Sequence, residues 1–377
     1  MTFALASGAA SAGLARPFAS VEVCGGQAAA REAWAELGAT AGAYQSYGFA
    51  EAYATAFGAR PAIVVARDAT GRPVALLGLQ LARFGPLTVA GFLGGSWANY
   101  HIGLFRPGLS WAAEDVAALL REAGRQARAD LFAFLNQPLR WEGLDNPLAL
   151  LPHAAGPNPA FASALPRSLG DWLDARFSRA SQKKLRKKAR KLEAFGPVCH
   201  TRAETPEAAA RVLDAFIAHK AAQAGARRAR DPFARPQIRD LLSRLIASGA
   251  MEMHALFAGE RIVATFGALA GGRRLSGLIV SYDGDKEIAA ASPGEWLLIE
   301  VVRDAIARGF QTFDLGVGES RYKREICEIE EPLFDTAFGV TPLGRAAAAA
   351  YLGGRAAMRE IKRRPRLYRW LQRLRGA

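Results

Sequence analysis

Two short polar segments each follow an apolar run, and their residue types could transfer protons and bind an anion. The first segment, GVGESRYKRE at 316–325, follows the run TFDLG. Glu319 or Tyr322 could accept or donate a proton there, and Lys323 could bind an anion. Because the ends of strands in α/β sheets often carry function, this segment is a candidate catalytic site. A polar surface loop without chemistry is the alternative interpretation.

The second segment, SPGEW at 292–296, begins a predicted helix after the apolar run LSGLIVSYD. Ser292 as the N-cap, Pro293 as the first helical residue and Glu295 as the partner in a capping box are typical of a helix start. Helix starts present free N–H groups and a positive dipole end, and Gly294 would let a ligand approach closely, so this segment could bind a phosphate. The charge of Glu295 would repel a phosphate, which keeps a simple capped helix open as the alternative.

A histidine and an aspartate are weaker candidates. His219 lies in the predicted helix LDAFIAHKAAQAG, beside Lys220 and before three arginines within 227–230. This cationic setting suits an acidic ligand, although a lone histidine on a helix is also common as a structural residue. Asp283 follows a predicted strand and is a candidate for binding substrate. The five histidines have no metal-ligand spacing, and no metal-binding or nucleotide-phosphate motif appears, so we expect no metal.

The segment SRASQKKLRKKARKLE at 178–193 concentrates positive charge. Nine Lys and Arg residues lie between Arg176 and Lys191, with no acidic residue among them. The apolar residues fall on one narrow helical stripe, which predicts a helix with one buried edge and a broad cationic face. This face is either solvated, a local site for the phosphate of a substrate or donor, or a polynucleotide surface. The candidates for binding substrate are Lys183, Lys184, Arg186 and Lys187.

The net charge of the 377-residue chain is +14, and it comes from two segments. Residues 175–192 contribute +9 and residues 355–377 contribute +8, which leaves the remainder at −3. A nearly neutral body favours local anion sites over a surface that is basic throughout. Three cysteines lie far apart without a CxxC pair, which indicates reduced thiols in a cytoplasmic protein.

Two further segments bear on membranes. Residues 84–105 carry no charged side chain, but five glycines and a proline favour strands joined by turns over a spanning helix. Residues 1–16 are rich in Ala, Gly and Ser and predict a disordered tail. The C-terminal sequence predicts either an interfacial helix on anionic lipid or a helix packed on the body. Its apolar stripe among arginines comprises Leu367, Trp370, Leu371 and Leu374.

The order of predicted elements repeats within the chain. Residues 61–93 and 251–284 are each predicted to form three strands separated by turns, and GRPVALLGL and GERIVATFGAL lie about 188 positions apart. A predicted helix and a further strand follow each set of strands. A repeat this long indicates two similar mixed α/β domains and not a solenoid, whose units are far shorter.

Six segments in the second part of the chain follow one another in this order: SQKKLRKKARKLE, HKAAQAG, DPF, GERIVATFGAL, SYDGDKEIAAASPGEWLLIE and FDLGVGESRYK. That order resembles the FemAB-like branch of the GNAT acyltransferases. It resembles in particular the CelD-type group, which is associated with bacterial cellulose and exopolysaccharide synthesis. The resemblance covers residues 171–330 well and residues 40–150 loosely.

The resemblance implies two tandem GNAT-like domains of mixed α/β fold, at 17–165 and 166–345, followed by a basic helical tail at 346–377. It implies an enzyme that moves an acyl group from a thioester, acyl-CoA, to a small-molecule amine in polysaccharide or cell-envelope biosynthesis. In relatives that build peptidoglycan cross-bridges the donor is aminoacyl-tRNA, which keeps tRNA open as a partner. A non-catalytic scaffold bound to the membrane surface is a third hypothesis.

The resemblance also implies roles for the candidate residues. GNAT folds bind the donor pyrophosphate at the start of the helix after the central strand, here Ser292 to Trp296, where this sequence has SPGEW in place of the family's RxxGxG/A loop. The Tyr-Lys pair of the family corresponds to Tyr322 and Lys323, and the lysine is expected to contact a phosphate or the developing oxyanion. The amine would attack the thioester directly, with Glu319 as the first choice of base and His219 as the second.

Overall fold

The computed structural model describes residues 16–38, 41–227, 231–362 and 364. Most of the predicted N-terminal tail and the apolar stripe of the C-terminal tail therefore lie outside the described residues. Within the described part of the chain, no helix is both long enough and apolar enough to cross a bilayer. Two mixed α/β halves are present, each built on its own sheet.

The first half follows the predicted order of strands and helices. Its sheet has the order β1-β2-β3-β4-β6, with antiparallel neighbours up to β4 and a parallel pairing between β4 and β6. The elements are β1 (Ser20–Cys24), α1 (Arg31–Leu37), α2 (Tyr47–Phe57), β2 (Arg60–Arg67), β3 (Pro73–Phe84), β4 (Leu87–Phe92), β5 (Leu104–Phe105), α3 (Ala113–Ala127), β6 (Leu131–Pro138), β7 (Arg140–Trp141), β8 (Leu144–Asp145) and β9 (His153–Ala155).

The second half repeats this plan. Its sheet has the order β11-β12-β13-β14-β15, with antiparallel neighbours up to β14 and a parallel pairing between β14 and β15. The elements are β10 (Ala160–Ala164), α4 (Leu169–Arg176), α5 (Arg179–Leu192), β11 (Val198–Arg202), α6 (Pro206–Arg227), α7 (Pro236–Ala247), β12 (Met251–Ala258), β13 (Arg261–Gly271), β14 (Arg274–Tyr282), α8 (Lys286–Ala290), α9 (Pro293–Ala307), β15 (Thr312–Val317), α10 (Arg321–Ile326), β16 (Ile329–Glu331), β17 (Leu333–Gly339) and α11 (Pro342–Lys362).

The internal repeat is confirmed by these elements. Strands β2, β3 and β4 correspond to β12, β13 and β14, while α3 corresponds to α9 and β6 to β15. The basic segment forms α5 with one buried edge, as its spacing predicts, because Leu185 and Leu192 pack into the core of the second half. Ser178 caps α5 by accepting a hydrogen bond from the backbone N–H of Ser181.

Two strands cross between the halves. Strand β10 pairs with β15 and β16 in the second sheet, although it precedes the predicted boundary at 165/166. Strand β17 lies after that boundary but pairs with β6 and β9 in the first sheet. A single cut at 165/166 would therefore remove one strand from each sheet.

The halves also share an apolar core, to which α2 contributes. Ser46 caps the start of α2 by accepting from the N–H of Phe49, and Gly58, with φ of 58°, ends it. Helix α2 packs against α7 of the second half. One buried cluster contains residues of both halves, including Phe49 and Leu269. The second half is therefore held against the first by buried contacts as well as by the exchanged strands.

Candidate functional site

The parallel strands β14 and β15 leave a gap between their carboxyl ends. Their ladder begins at Arg274 and Thr312 and ends at Ser276 and Asp314. Strand β14 then continues to Tyr282, and β15 continues to Val317. We call the space beyond the last ladder pair the β14–β15 gap. Ligands of open α/β sheets bind beyond the carboxyl ends of parallel strands, so this gap is a natural place for a site.

A pocket of about 420 Å³ lies at the carboxyl end of β14, on one side of the β14–β15 gap, and no residue of β15 lines it within the described part of the chain. The end of β14 and the start of α9 form one wall. Helix α6 forms the other through Lys220, which the sequence placed beside His219 in the candidate pair, and through Gln223, which was not a candidate. The pocket brings together five of the predicted site residues: Ser292, Pro293, Gly294, Glu295 and Tyr322.

The start of α9 has the predicted N-cap and first helical residue but not the predicted capping box. Ser292 occupies the N-cap position with φ of 54°, and its side chain makes no cap hydrogen bond. The Ser292 Oγ instead accepts from Lys188 Nζ at 2.8 Å. The same ammonium lies 3.3 Å from Glu295 Oε2. The capping-box prediction is wrong because both side chains turn towards this lysine, which compensates the charge of Glu295.

Lys188 is a site residue that the sequence analysis missed. It lies three positions after Leu185 and four before Leu192, so it falls on the buried stripe of α5. A lysine on an otherwise apolar stripe was the available signal. The other basic candidates of α5 are exposed, and no residue of α5 lines the pocket in the described part of the chain. Those exposed candidates are Lys183, Lys184, Arg186 and Lys187.

Trp296 does not line the pocket with the rest of its segment. Together with Arg186 it lines a neighbouring cleft of about 340 Å³, between α5 and α9. Its ring packs at the edge of the apolar core of the second half. The segment from Ser292 to Trp296 is thus divided between the two cavities because successive residues of a helix point in different directions.

His219 does not line the pocket but is connected to it by a hydrogen bond to Ser281. The His219 Nδ1 lies 3.0 Å from Ser281 Oγ, and the Thr265 Oγ1 lies 2.7 Å from the same oxygen. Ser281 lines the pocket, whereas His219 is buried behind it. Burial lowers the pKa of His219, so its ring is neutral near pH 7 and its Nδ1 can accept the Ser281 hydroxyl proton.

Two other candidates have partners outside the pocket. Glu319, the first choice of base, is exposed and paired with Arg324. The Asp283 Oδ2 accepts from Arg261 Nε at 2.8 Å, and its Oδ1 accepts from the N–H of Asp285 at 3.0 Å. Both carboxylates therefore hold local structure together, and neither lines the pocket in the described part of the chain.

The neighbours Tyr322 and Lys323 point to different places. Tyr322 lines the pocket, and burial raises the pKa of its phenol, which keeps the hydroxyl protonated. The Lys323 Nζ is buried and donates to the carbonyl of Gly316 at 3.2 Å and to that of Val317 at 2.9 Å. Burial also lowers the pKa of Lys323. This ammonium fixes the end of β15 from within the fold.

One cluster outside the pocket has the composition of a metal site. Side-chain atoms of Glu252, His254 and Asp304 lie within 4.8 Å of one another. Arg308 donates to both oxygens of Glu252 at 2.8 Å and to Asp304 Oδ2 at 2.8 Å. Burial of the Glu252 carboxyl acts to raise its pKa, but the hydrogen bonds from His254 and Arg308 hold that pKa down at about 2. The guanidinium thus supplies the positive charge that a metal would bring.

The pocket lies within the part of the chain that matches a known family. Residues 179–324, from the start of α5 into α10, match the family model described as an acetyltransferase (GNAT) domain. This match covers less than half of the chain, and it includes every lining residue of the pocket. No curated protein matches the chain significantly.

Solved structures resemble most of the chain at low identity. FemX superposes with a TM-score of 0.60 at 12% identity, covering 84% of this chain and 97% of that one. L-PGS from Bacillus licheniformis gives 0.52 at 14% identity, covering 87% and 97%. The C-terminal domain of a putative lysylphosphatidylglycerol synthetase from Agrobacterium fabrum gives 0.52 at 12% identity, covering 86% and 96%. At these identities the likeness concerns the fold.

These comparisons confirm the predicted fold class, a mixed α/β protein with two GNAT-like halves. They also support an acyltransferase in general terms, because the matched family model is that of an acetyltransferase domain. The assignment to the CelD-type group and to exopolysaccharide synthesis stays a hypothesis from the sequence resemblance.

Proposed function

We propose that this protein is a GNAT-type N-acyltransferase that moves an acyl group from a thioester donor, acyl-CoA, to an amine. The pocket at the β14–β15 gap carries this proposal. It is bounded by the start of α9 and lies inside the segment that matches the GNAT domain model. Following the sequence resemblance, the acceptor is an amino group of a polysaccharide or cell-envelope precursor.

The start of α9 suits the phosphate end of the donor. Its backbone N–H groups and helix dipole favour an anion, and Gly294 leaves room for one because an added Cβ would meet only Tyr282, at 3.8 Å. Lys188 already places an ammonium there, paired with Glu295. A bound phosphate would take up that ammonium as a charge-assisted partner. The exposed bases of α5 add a positive field beside the pocket.

The α6 wall of the pocket suits proton transfer during direct attack by the amine. The nitrogen forms a bond to the thioester carbonyl carbon, and collapse of the intermediate breaks the C–S bond. The amine proton passes to Ser281 Oγ, whose own proton moves to the neutral His219 Nδ1. The protonated Tyr322 hydroxyl donates to the departing thiolate. Holding both substrates in one pocket supplies much of the acceleration.

Lys323 takes a supporting role in this proposal. The resemblance assigns it to a phosphate or the oxyanion, but its Nζ already has two carbonyl acceptors at the end of β15. We therefore assign it to holding β15 in place. Glu319, which is paired with Arg324, takes no part in proton transfer.

Donor binding tests the proposal. The full chain is titrated with CoA, acetyl-CoA and a long-chain acyl-CoA while the melting temperature is followed, because a ligand that binds only the native state raises it. We expect an acyl-CoA to raise the melting temperature. We also expect Lys188→Ala to weaken donor binding about tenfold, the effect of losing one charged hydrogen bond. Lys187→Ala is the matched control, since Lys187 is exposed on the same helix. No response to any of the three compounds would reject the proposal.

Aminoacyl-tRNA is a second candidate donor, and the exposed cationic face of α5 favours it. Bulk tRNA is titrated in parallel at two salt concentrations. Tight, salt-sensitive binding that is lost when Lys183, Lys184, Arg186 and Lys187 are neutralised, without any response to CoA, would replace acyl-CoA by aminoacyl-tRNA. The apolar stripe on which a membrane scaffold would depend lies outside the described residues.

A further inference from the structure

The segment Gly94–Tyr100, which follows β4, carries first-half side chains into the second half. The Asn99 Nδ2 donates to the carbonyl of Gly277 at 3.2 Å and to the hydroxyl of Tyr44 at 2.6 Å. The Asn99 Oδ1 accepts from the N–H of Val317 at 3.4 Å. Gly277 is the first residue of β14 beyond the ladder, and Val317 is the last of β15. One side-chain amide therefore joins both sides of the β14–β15 gap.

The Asn99 side-chain amide takes the place of a backbone hydrogen-bonded pair between β14 and β15. Backbone groups that lose their strand partner inside a protein need another partner, and an asparagine offers both a donor and an acceptor as a peptide does. Because the Asn99 side chain lies between the two strands, it holds them farther apart than direct backbone hydrogen bonds would. The Asn99 amide occupies the space beside Gly316. Gly316 has φ of 71°, and a Cβ there would overlap the amide.

Neighbouring bonds fix the same strand ends. The Tyr100 hydroxyl donates to Asp314 Oδ1 at 3.0 Å, and Ser276 Oγ donates to Asp314 Oδ2 at 3.1 Å, so the last ladder pair is tied to the first half. The peptide group between Gly316 and Val317 is held on both sides, its N–H by Asn99 and its carbonyl by Lys323. The first half thus determines where the gap begins and how wide it is.

We propose that Asn99 is a positioning residue for acyl transfer: the first half sets the width of the β14–β15 gap through it. This inference rests on the proposed function. The thioester carbonyl must reach the amine within the gap, whereas the phosphate end of the donor sits at the start of α9. Loss of Asn99 therefore slows transfer without weakening the binding of CoA itself.

The test compares Asn99→Ala with Asn146→Ala in the full chain. Asn146 is a matched control, since it is a buried first-half asparagine that donates to Pro138 at 3.0 Å and accepts from Leu148 at 3.1 Å. Hydrogen exchange is followed over residues 312–320, CoA binding by melting temperature, and release of CoA from acetyl-CoA with glucosamine as the amine. Tyr44→Phe is a milder second variant, because it keeps Asn99 and removes the hydroxyl that Asn99 contacts, which itself donates to the carbonyl of Gly277 at 3.2 Å.

We expect Asn99→Ala to speed exchange at Val317 about tenfold and to lower kcat about tenfold or more, with an unchanged response to CoA. Tyr44→Phe should give smaller changes in the same direction. Asn146→Ala should lower the melting temperature without these changes. Equal exchange at Val317 in both asparagine variants would overturn the inference, and so would faster exchange with unchanged kcat. If the wild-type chain releases no CoA and does not bind it, the proposed function fails, and the exchange result still decides whether Asn99 holds the gap.

Discussion

The two halves of the molecule share a topology and differ at the gap where their parallel strands part. In the first half, the β4–β6 ladder ends at Ala90 and Phe132, and His101 fills the space beyond it. The His101 N–H donates to the carbonyl of Asn136 at 3.2 Å, and its Nδ1 lies 2.9 Å from the carbonyl of Leu135. In the second half, the Asn99 amide stands at the start of the corresponding gap, and a pocket of about 420 Å³ lies beyond it at the carboxyl end of β14.

The starts of the corresponding helices, α3 and α9, also differ in whether a side chain of the protein occupies the end that favours anions. At the start of α3, Asp115 accepts from the N–H of Ala112 at 3.0 Å, so a carboxylate of the chain occupies the anion-binding end. At the start of α9, Glu295 is drawn towards Lys188 instead. The first half has thus filled the two features that we propose to bind ligand in the second half. The same first-half segment that carries His101 also carries Asn99, which braces the open gap.

The largest expected effect comes from separating the halves. Residues 17–165 would lack β17, the partner of β6, and residues 166–345 would lack β10, the partner of β15. Neither fragment should fold alone, whereas the full chain should unfold in one cooperative step. Circular dichroism and the dispersion of amide resonances check this. A fragment that folds by itself would show that the halves are independent copies.

A large effect on rate should distinguish the open gap from the filled one. His219→Asn keeps a hydrogen-bonding side chain beside Ser281 but cannot take up a proton near pH 7, so we expect kcat to fall about 100-fold or more. His101→Gln, which changes the histidine of the filled gap, should alter kcat by less than about threefold in protein that is still folded. The measurement is CoA release from acetyl-CoA. Similar losses of kcat in the two variants would contradict the proposed difference between the two gaps.

The filled gap should make the fold sensitive to acid. Burial lowers the pKa of His101 from 6.5 to about 4. The unfolded chain therefore binds a proton at this histidine between those two values, and the free energy of unfolding falls as pH drops from about 6.5 to about 4. The loss is on the order of 3 kcal/mol for this one group. The free energy of unfolding, measured in urea at a series of pH values, should depend less steeply on pH in His101→Gln than in the wild type. Equal slopes in the two proteins would contradict this account.

The smallest expected effect is on the pH dependence of the reaction. Because burial lowers the pKa of His219, this proposed base stays neutral to below the ordinary pH range of a histidine. We expect kcat/KM to rise with pH through a midpoint below 6.5 and then to level off. Steady-state rates across pH 5–8 provide the check, with Glu319→Gln as a control that should leave the midpoint unchanged. A midpoint well above 6.5, or one that moves in the control, would point to a different base.

Residue spacing predicts those parts of the candidate site that depend on local backbone structure. The start of α9 at Ser292 and Pro293, the single buried edge of α5 and the strand–turn order of the repeat all follow from residue spacing, because neighbouring residues set the periodicity of a helix or strand. Ser292 to Glu295, Tyr322 and His219 were found in this way and lie in or against the pocket.

The remaining features arise from contacts between residues that are distant in sequence. Lys188 meets Ser292 across 104 positions, and Asn99 meets Gly277 across 178. Residue type alone does not select the partner of a charge or an amide, since many acids and carbonyls are available along the chain. For this reason Lys323 was expected to face a phosphate, whereas packing turns its ammonium onto the end of β15. Spacing in the sequence determined the elements of each half, and only the packing of the two halves decided which gap is filled and which is open.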